Sequence, residues 1–168
     1  MSSNRFHTEV YPLKDKIYRF AFSLLKVMED AEDATQEVLL RLWKRKDFLG
    51  QYRSVEAFAM TMTRNHCLDK LRLKSNQTTE LTVVVRDKDR LPDRNAEIKD
   101  AAAKVMDLMK ELPDQQRQIV YLKDVEQYDY KEIAAVMDLE INTIRVNLSR
   151  ARKKIREELV KTHAYGLG

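Results

Sequence analysis

Apolar residues recur at three- and four-residue steps through most of the chain, the period of a helix with one buried face. Residues 8–28 read as a first helix, with Ile17, Phe20, Ala21, Leu24 and Met28 along one side. A second begins at Asp30, a good N-cap, and turns Ala34, Val38 and Leu42 inward. Its outer stripe runs Asp30, Asp33, Glu37, Arg41, Lys44, acidic first and basic last, the order that the helix dipole favours. Gly50 and the polar run to Arg53 interrupt the pattern, and Ser54 caps a long helix reaching about Lys74. There Val55, Phe58, Ala59 and Met62 share one face and Met60, Cys67 and Leu71 another. A helix apolar on two sides packs between neighbours, so residues 8–74 form a first small domain.

Periodicity then stops. Residues 75–97 are polar and charged apart from Leu81–Val85, and they read as a linker, because a gap of this size is uncommon inside one compact domain. The Thr82–Val85 patch is either a short strand or a docking segment. Helical spacing resumes with Ile98, Ala101, Val105, Leu108 and Leu112, opening a second domain over 98–161. Pro113 fits the first turn of the next helix, which carries Ile119, Val120 and Leu122. Asp129 and Glu132 have capping-box spacing before another. After a turn near Asp138 to Ile141, a last helix turns Ile144, Leu148, Ala151, Ile155 and Leu159 inward. With three glycines and three prolines in 168 residues, few positions suit tight turns, and the fold class is all-α, two small helical domains joined by a linker.

The net charge of +4 is modest, but its distribution is not even. Glu29, Asp30, Glu32, Asp33 and Glu37 fall in a stretch without a base. Arg145, Arg150, Arg152, Lys153, Lys154, Arg156 and Lys161 face only Glu157 and Glu158. An acidic patch in one domain and a basic helix in the other point to two different partners. The lone Cys67 excludes an internal disulfide and fits a reducing compartment. No apolar run reaches the roughly 18 residues of a membrane span, and the first residues lack a signal-peptide core, so a cytoplasmic protein without membrane insertion is expected. Ser23, His66 and Asp69 have no spacing that orders a triad. No catalytic residue, metal site, cofactor or small-molecule substrate is expected.

The segment Tyr130 to Arg152 meets the requirements of a helix-turn-helix. Ile133 and Met137 anchor its first helix, Ala134 is small at the crossing, Leu139 plugs the turn, and Ile144 and Leu148 seat the second helix. That leaves Arg145, Ser149, Arg152, Lys153 and Arg156 outside, a basic face of a width that a major groove of about 12 Å admits. Basic residues near a helix C-terminus also complement its dipole, so the charge alone would describe an ordinary solvated helix.

The stretch LPDQQRQIVYLKDVEQYDYKEIAAVMDLEINTIRVNLSRARKKIREEL (Leu112 to Leu159) closely resembles region 4 of sigma factors of the extracytoplasmic-function group. DAEDATQEVLLRLWKR (Asp30 to Arg45) resembles their region 2.2, and FAMTMTRNHCLDKLR (Phe58 to Arg72) their regions 2.3 and 2.4. The resemblance implies a protein that binds core RNA polymerase and directs initiation at promoters with −35 and −10 elements. It implies that Asp30, Asp33, Gln36, Glu37 and Arg41 meet the β′ coiled coil. It assigns the −10 element to Tyr52, Arg53, Arg64, Asn65, Lys70 and Arg72, with Trp43 and Phe58 read as packing residues. It assigns −35 base reading to Arg145, Val146, Ser149 and Arg150, and backbone contacts to Asn142, Thr143, Arg152 and Lys153. A contact with the β flap and an anti-sigma factor are implied as well, whereas the autoinhibitory region and middle domain of primary sigma factors have no counterpart. A helix-turn-helix regulator acting alone would leave the acidic helix unexplained. A helical interaction protein without a DNA role would leave the basic one unexplained.

Overall fold

The computed structural model describes residues 2–77, 103–105 and 107–166. Among these residues there is no strand, and they form two compact units, each drawn mainly from one half of the chain, with Ala135–Met137 grouped with the first. The Leu81–Val85 patch and most of the expected linker lie outside the described residues.

In the N-terminal unit, short helical turns (Ser2–Arg5, the π-type Phe6–Val10 and the 3-10 Tyr11–Leu13) lead into α1 (Lys14–Leu25). Helix α2 (Met28–Lys44), a 3-10 segment (Lys46–Gln51) and α3 (Val55–Gln77) follow. All three helices pack on one another around fully buried Ile17, Phe20, Val38, Leu42 and Met60. Each such large side chain contributes about 1.5–3 kcal/mol on leaving water. Thr35 and Thr63 are buried too, and satisfy their hydroxyls by donating to the carbonyls of Ala31 and Ala59, at 2.7 and 2.8 Å. At Gly50 a Cβ would lie 2.8 Å from Arg5 Nη1, the end of a flexible, exposed side chain that can swing aside, so a small side chain is tolerated there at little cost.

The first helix boundary differs from expectation. Lys26 takes the left-handed conformation (φ 63°) and its N–H closes on Phe22 O, so α1 ends at Leu25 rather than at residue 28. Extended Val27 is the N-cap of α2, and Asp30 lies inside the first turn. The Asp30 carboxylate does not cap the helix. It pairs with Lys74 from the far end of α3. Ser54 does cap α3, its Oγ accepting from Ala57 N at 3.1 Å, and the helix runs three residues beyond Lys74.

Cys67 is fully buried in α3, and burial pushes its thiol up to about 12 from an ordinary 9.0. The thiolate is the reactive form, so its population falls by roughly a thousandfold relative to an exposed cysteine. Native protein at pH 8 is therefore expected to resist a colorimetric disulfide reagent, with one thiol per chain titrating on addition of denaturant. Rapid labelling of the native chain would refute the burial.

In the C-terminal unit, residues 103–105 and 107–110 are helical. Pro113 is the N-cap of α4 (Asp114–Val120) and not part of its first turn, because its backbone is extended (ψ 146°). A π-type turn (Tyr121–Val125) continues α4. Helix α5 (Tyr130–Met137) opens on Asp129, whose Oδ1 accepts from Glu132 N at 2.8 Å. That backbone N–H holds the Asp129 carboxyl below the usual carboxylate range. Asp138, left-handed at φ 54°, closes α5 by donating its N–H to Ala134 O. Helix α6 (Ile141–Gly166) packs against α4. Ile133, Ile144, Leu148 and Ala151 are buried, while Ala134, Leu139, Ile155 and Leu159 are half-buried, as the helix-turn-helix pattern requires at its crossing and turn.

Candidate nucleic-acid and polymerase interfaces

Ile144, Leu148 and Ala151 point into the C-terminal unit, and this fixes which residues of α6 face outward. Asn142, Arg145, Val146, Ser149, Arg150 and Lys153 are exposed, while Thr143 is half-buried and accepts at its carbonyl from Asn147 Nδ2 at 2.8 Å. From Asn142 to Lys153 the helix rises about 17 Å. Val146 is 46% exposed, an apolar residue on a basic face, suited to contact with a thymine methyl rather than a phosphate.

Two of the arginines are held by groups outside α6. The Arg145 guanidinium carbon lies 5.1 Å from the ring centre of Tyr130, which also carries Lys123 Nζ at 4.6 Å. Arg152 donates from Nε to Asp124 Oδ2 at 3.3 Å and from Nη2 to Asp124 Oδ1. These bonds raise the Arg152 pKa further, so its charge is permanent. Tyr130, Lys123 and Asp124 do not figure among the sequence-derived site residues. Tyr130 and Asp124 lie 15 and 28 residues before the arginines they hold, and no local pattern announces such a pair.

On α2, the candidate polymerase contacts fall into two groups. Asp33 and Gln36 are exposed. Glu37 accepts from Arg41 Nε at 3.0 Å, one turn away, and Asp30 is committed to Lys74 with its side chain only 18% exposed. Among these candidates Asp33 and Glu37 thus carry the acidic character of the outer face, beside exposed Glu29 and Glu32, and Asp30 ties α2 to α3.

The segment assigned to the −10 element begins with Tyr52, whose ring stacks on Phe58 at 3.9 Å between centres and 16° between planes. Its hydroxyl accepts from Arg45 Nη1 at 3.0 Å. Arg53, Asn65 and Arg72 are exposed and Arg64 and Lys70 half-buried, and Arg72 stands 3.8 Å from Asp69. Phe58 and Trp43 are both half-buried. Trp43 meets Phe6 edge-on at 5.0 Å and has Lys46 Nζ 4.0 Å above its ring. His66, desolvated and near Arg41 and Lys70, has a lowered pKa. Among the described residues no three His, Cys, Asp or Glu side chains are placed to hold a metal ion. No helix there is long and apolar enough to cross a membrane.

A three-helix unit bearing an acidic helix, followed by a helix-turn-helix unit with a basic outer face, has the architecture of a two-domain DNA-binding protein. Residues 11–77 match the family described as Sigma-70 region 2, and residues 102–155 match Sigma-70, region 4. The chain is 30% identical over 157 residues to the RNA polymerase sigma-E factor of Streptomyces avermitilis, covering 92% of this chain and 84% of that one. It is 31% identical over 153 residues to the ECF RNA polymerase sigma factor SigE of Mycolicibacterium smegmatis, covering 88% of this chain and 58% of that protein's length. Among solved structures, the sigma factor RpoE of Bartonella quintana, in complex with the anti-sigma factor NepR, superimposes with a TM-score of 0.75. The identity is 22%, over 92% of this chain and 96% of that one. CnrH in complex with the cytosolic domain of CnrY gives 0.68 at 19%, over 95% and 90%. The chain belongs to the ECF sigma factors of the sigma-70 family, promoter-recognising initiation factors of RNA polymerase.

Proposed function

We propose that this protein binds core RNA polymerase through the outer face of α2, places α6 in the major groove of a −35 element, and lets its N-terminal unit open and hold the −10 element. Residues 8–74 and 98–161 are the two working parts and 75–97 their connection. Asp33, Gln36, Glu37 and Arg41 meet the β′ coiled coil, with Asp30 bracing them. Arg145, Val146, Ser149 and Arg150 read bases, and Asn142, Thr143, Arg152 and Lys153 contact phosphates. Tyr52, Arg53, Arg64, Asn65, Lys70 and Arg72 follow the melted strand, where a positive track and ring surfaces suit single-stranded DNA. The protein acts stoichiometrically in the cytoplasm, and the polymerase supplies the bond-making chemistry. The observation that carries this reading is the exposed set Arg145, Val146, Ser149 and Arg150 on a helix seated by Ile144 and Leu148.

An apolar groove of about 460 Å³ in the C-terminal unit, floored by Val105, Met109, Val120, Ile155 and Leu159, is the candidate seat for the β flap. An anti-sigma partner is proposed because the B. quintana neighbour is bound to one.

Run-off transcription with the host's core polymerase and a library of its promoter fragments tests the function. Specific starts that require the protein support it, and silence together with no co-migration with core polymerase refutes it. The Asp124 carboxylate occupies the edge of Arg152 that a phosphate would take. An exposed pair of this kind is worth about 0.2–1 kcal/mol. Asp124→Asn is therefore expected to tighten −35 DNA binding by about 2- to 5-fold at low salt, the gain fading as salt screens it. Unchanged affinity at every salt concentration would remove Arg152 from the backbone contacts.

A further inference from the structure

Arg145 is the first exposed arginine of α6, and Tyr130 is the first residue of α5. The contact between them joins the two helices of the motif on its basic side. A guanidinium lying over a ring is held by its π face, whereas its five N–H donors lie in the guanidinium plane and remain for other bonds. Arg152 is held differently, because Asp124 takes two of its donors. An arginine free in solvent must give up its rotamer freedom when it docks on a base, and one already held gives up less.

We propose that Tyr130 is a positioning residue for −35 recognition: its ring holds the Arg145 guanidinium ready for a bidentate bond to guanine while leaving the N–H edge unspent. Lys123 shares the ring, so Tyr130 gathers two cations where an anionic duplex would approach. The role belongs to the ring and not to the hydroxyl. It rests on the reading of Arg145 as a base-contacting residue, and the test separates the two claims.

Holoenzyme assembled from the full chain and core polymerase is challenged with promoter fragments in which each −35 base pair is replaced in turn, and discrimination against each replacement is measured by competition. Arg145→Ala identifies the base pair it reads as the position where discrimination is lost. At that position Tyr130→Leu is expected to lower discrimination by roughly 3- to 5-fold, with Tyr130→Phe within about 2-fold of the parent. Adding Tyr130→Leu to Arg145→Ala is expected to lose no further discrimination. A Tyr130→Phe variant that binds all fragments more weakly to the same extent overturns the proposal in favour of a hydroxyl–phosphate contact. Full discrimination in Tyr130→Leu overturns it outright. Full discrimination in Arg145→Ala removes the base-reading role itself, leaving Tyr130 nothing to position. Helical circular dichroism of each variant identifies any that fails to fold, and Tyr130→Phe, which keeps the ring, then decides between ring and hydroxyl.

Discussion

Exchanging Asp33 and Glu37 together for lysine is expected to abolish transcription by the reconstituted holoenzyme while leaving −35 duplex binding by the purified protein intact. Asp33 is exposed on the outer face of α2, and Glu37 lies one turn further along, paired with Arg41. Reversal replaces an acidic surface by a basic one, and Glu37→Lys sets an ammonium against Arg41, a like-charge pair costing a few tenths of a kcal/mol to the helix. That is too little to unfold α2, which is anchored by fully buried Ala34, Val38 and Leu42. Across an interface, like charges in place of complementary ones cost several kcal/mol, so recruitment to core polymerase should fall by on the order of 100-fold or more. Co-migration with core polymerase and run-off yield read the loss, and a −35 duplex shift is the control. If transcription survives at parental level, the outer face of α2 is not where the polymerase binds.

The second large effect concerns packing. Ile144→Ala is expected to destabilise the C-terminal unit by about 2–5 kcal/mol, since Ile144 is fully buried where α6 begins and the deletion removes both transfer energy and packing. Small domains hold only a few kcal/mol in reserve, so −35 binding should vanish with the fold. Urea unfolding followed by circular dichroism should show the loss as a lower midpoint with reduced native helicity. The neighbouring surface change Val146→Ala, at a residue 46% exposed, should leave that midpoint unchanged within about 0.5 kcal/mol. A parental midpoint for Ile144→Ala would mean that the seat of the recognition helix lies elsewhere.

Much of the fold is legible in the sequence because its signals are local. The stripes through Ile17, Val38 and Ile144 place the helices, and Ser54 and Asp129 cap theirs with the expected bonds. The start of α2 is not, because Asp30 has the chemistry of a cap but spends it on Lys74, 44 residues away. Lys26 ends α1 in a left-handed turn that glycine or asparagine would have signalled and lysine does not. Pro113 is the residue before its helix, a shift of one position that composition does not resolve. At the site, the outward face of α6 follows from periodicity alone. The grip of Tyr130 on Arg145 and of Asp124 on Arg152 depends on how α5, α6 and the turn after α4 pack, and the helical spacing of the sequence pairs neither.

The backbone reverses hand at Lys26, Gln127 and Asp138, and none of these is a glycine. A residue with a Cβ has a narrow left-handed well with steep walls, where glycine would have a broad one. The corner at Asp138, between the two helices of the DNA-binding motif, is therefore a stiff elbow rather than a loose joint. A reader built on such an elbow meets its duplex with little left to order. Calorimetric titration with −35 DNA should accordingly give a heat-capacity change accounted for by the apolar surface covered at the contact, without the surplus that accompanies folding on binding.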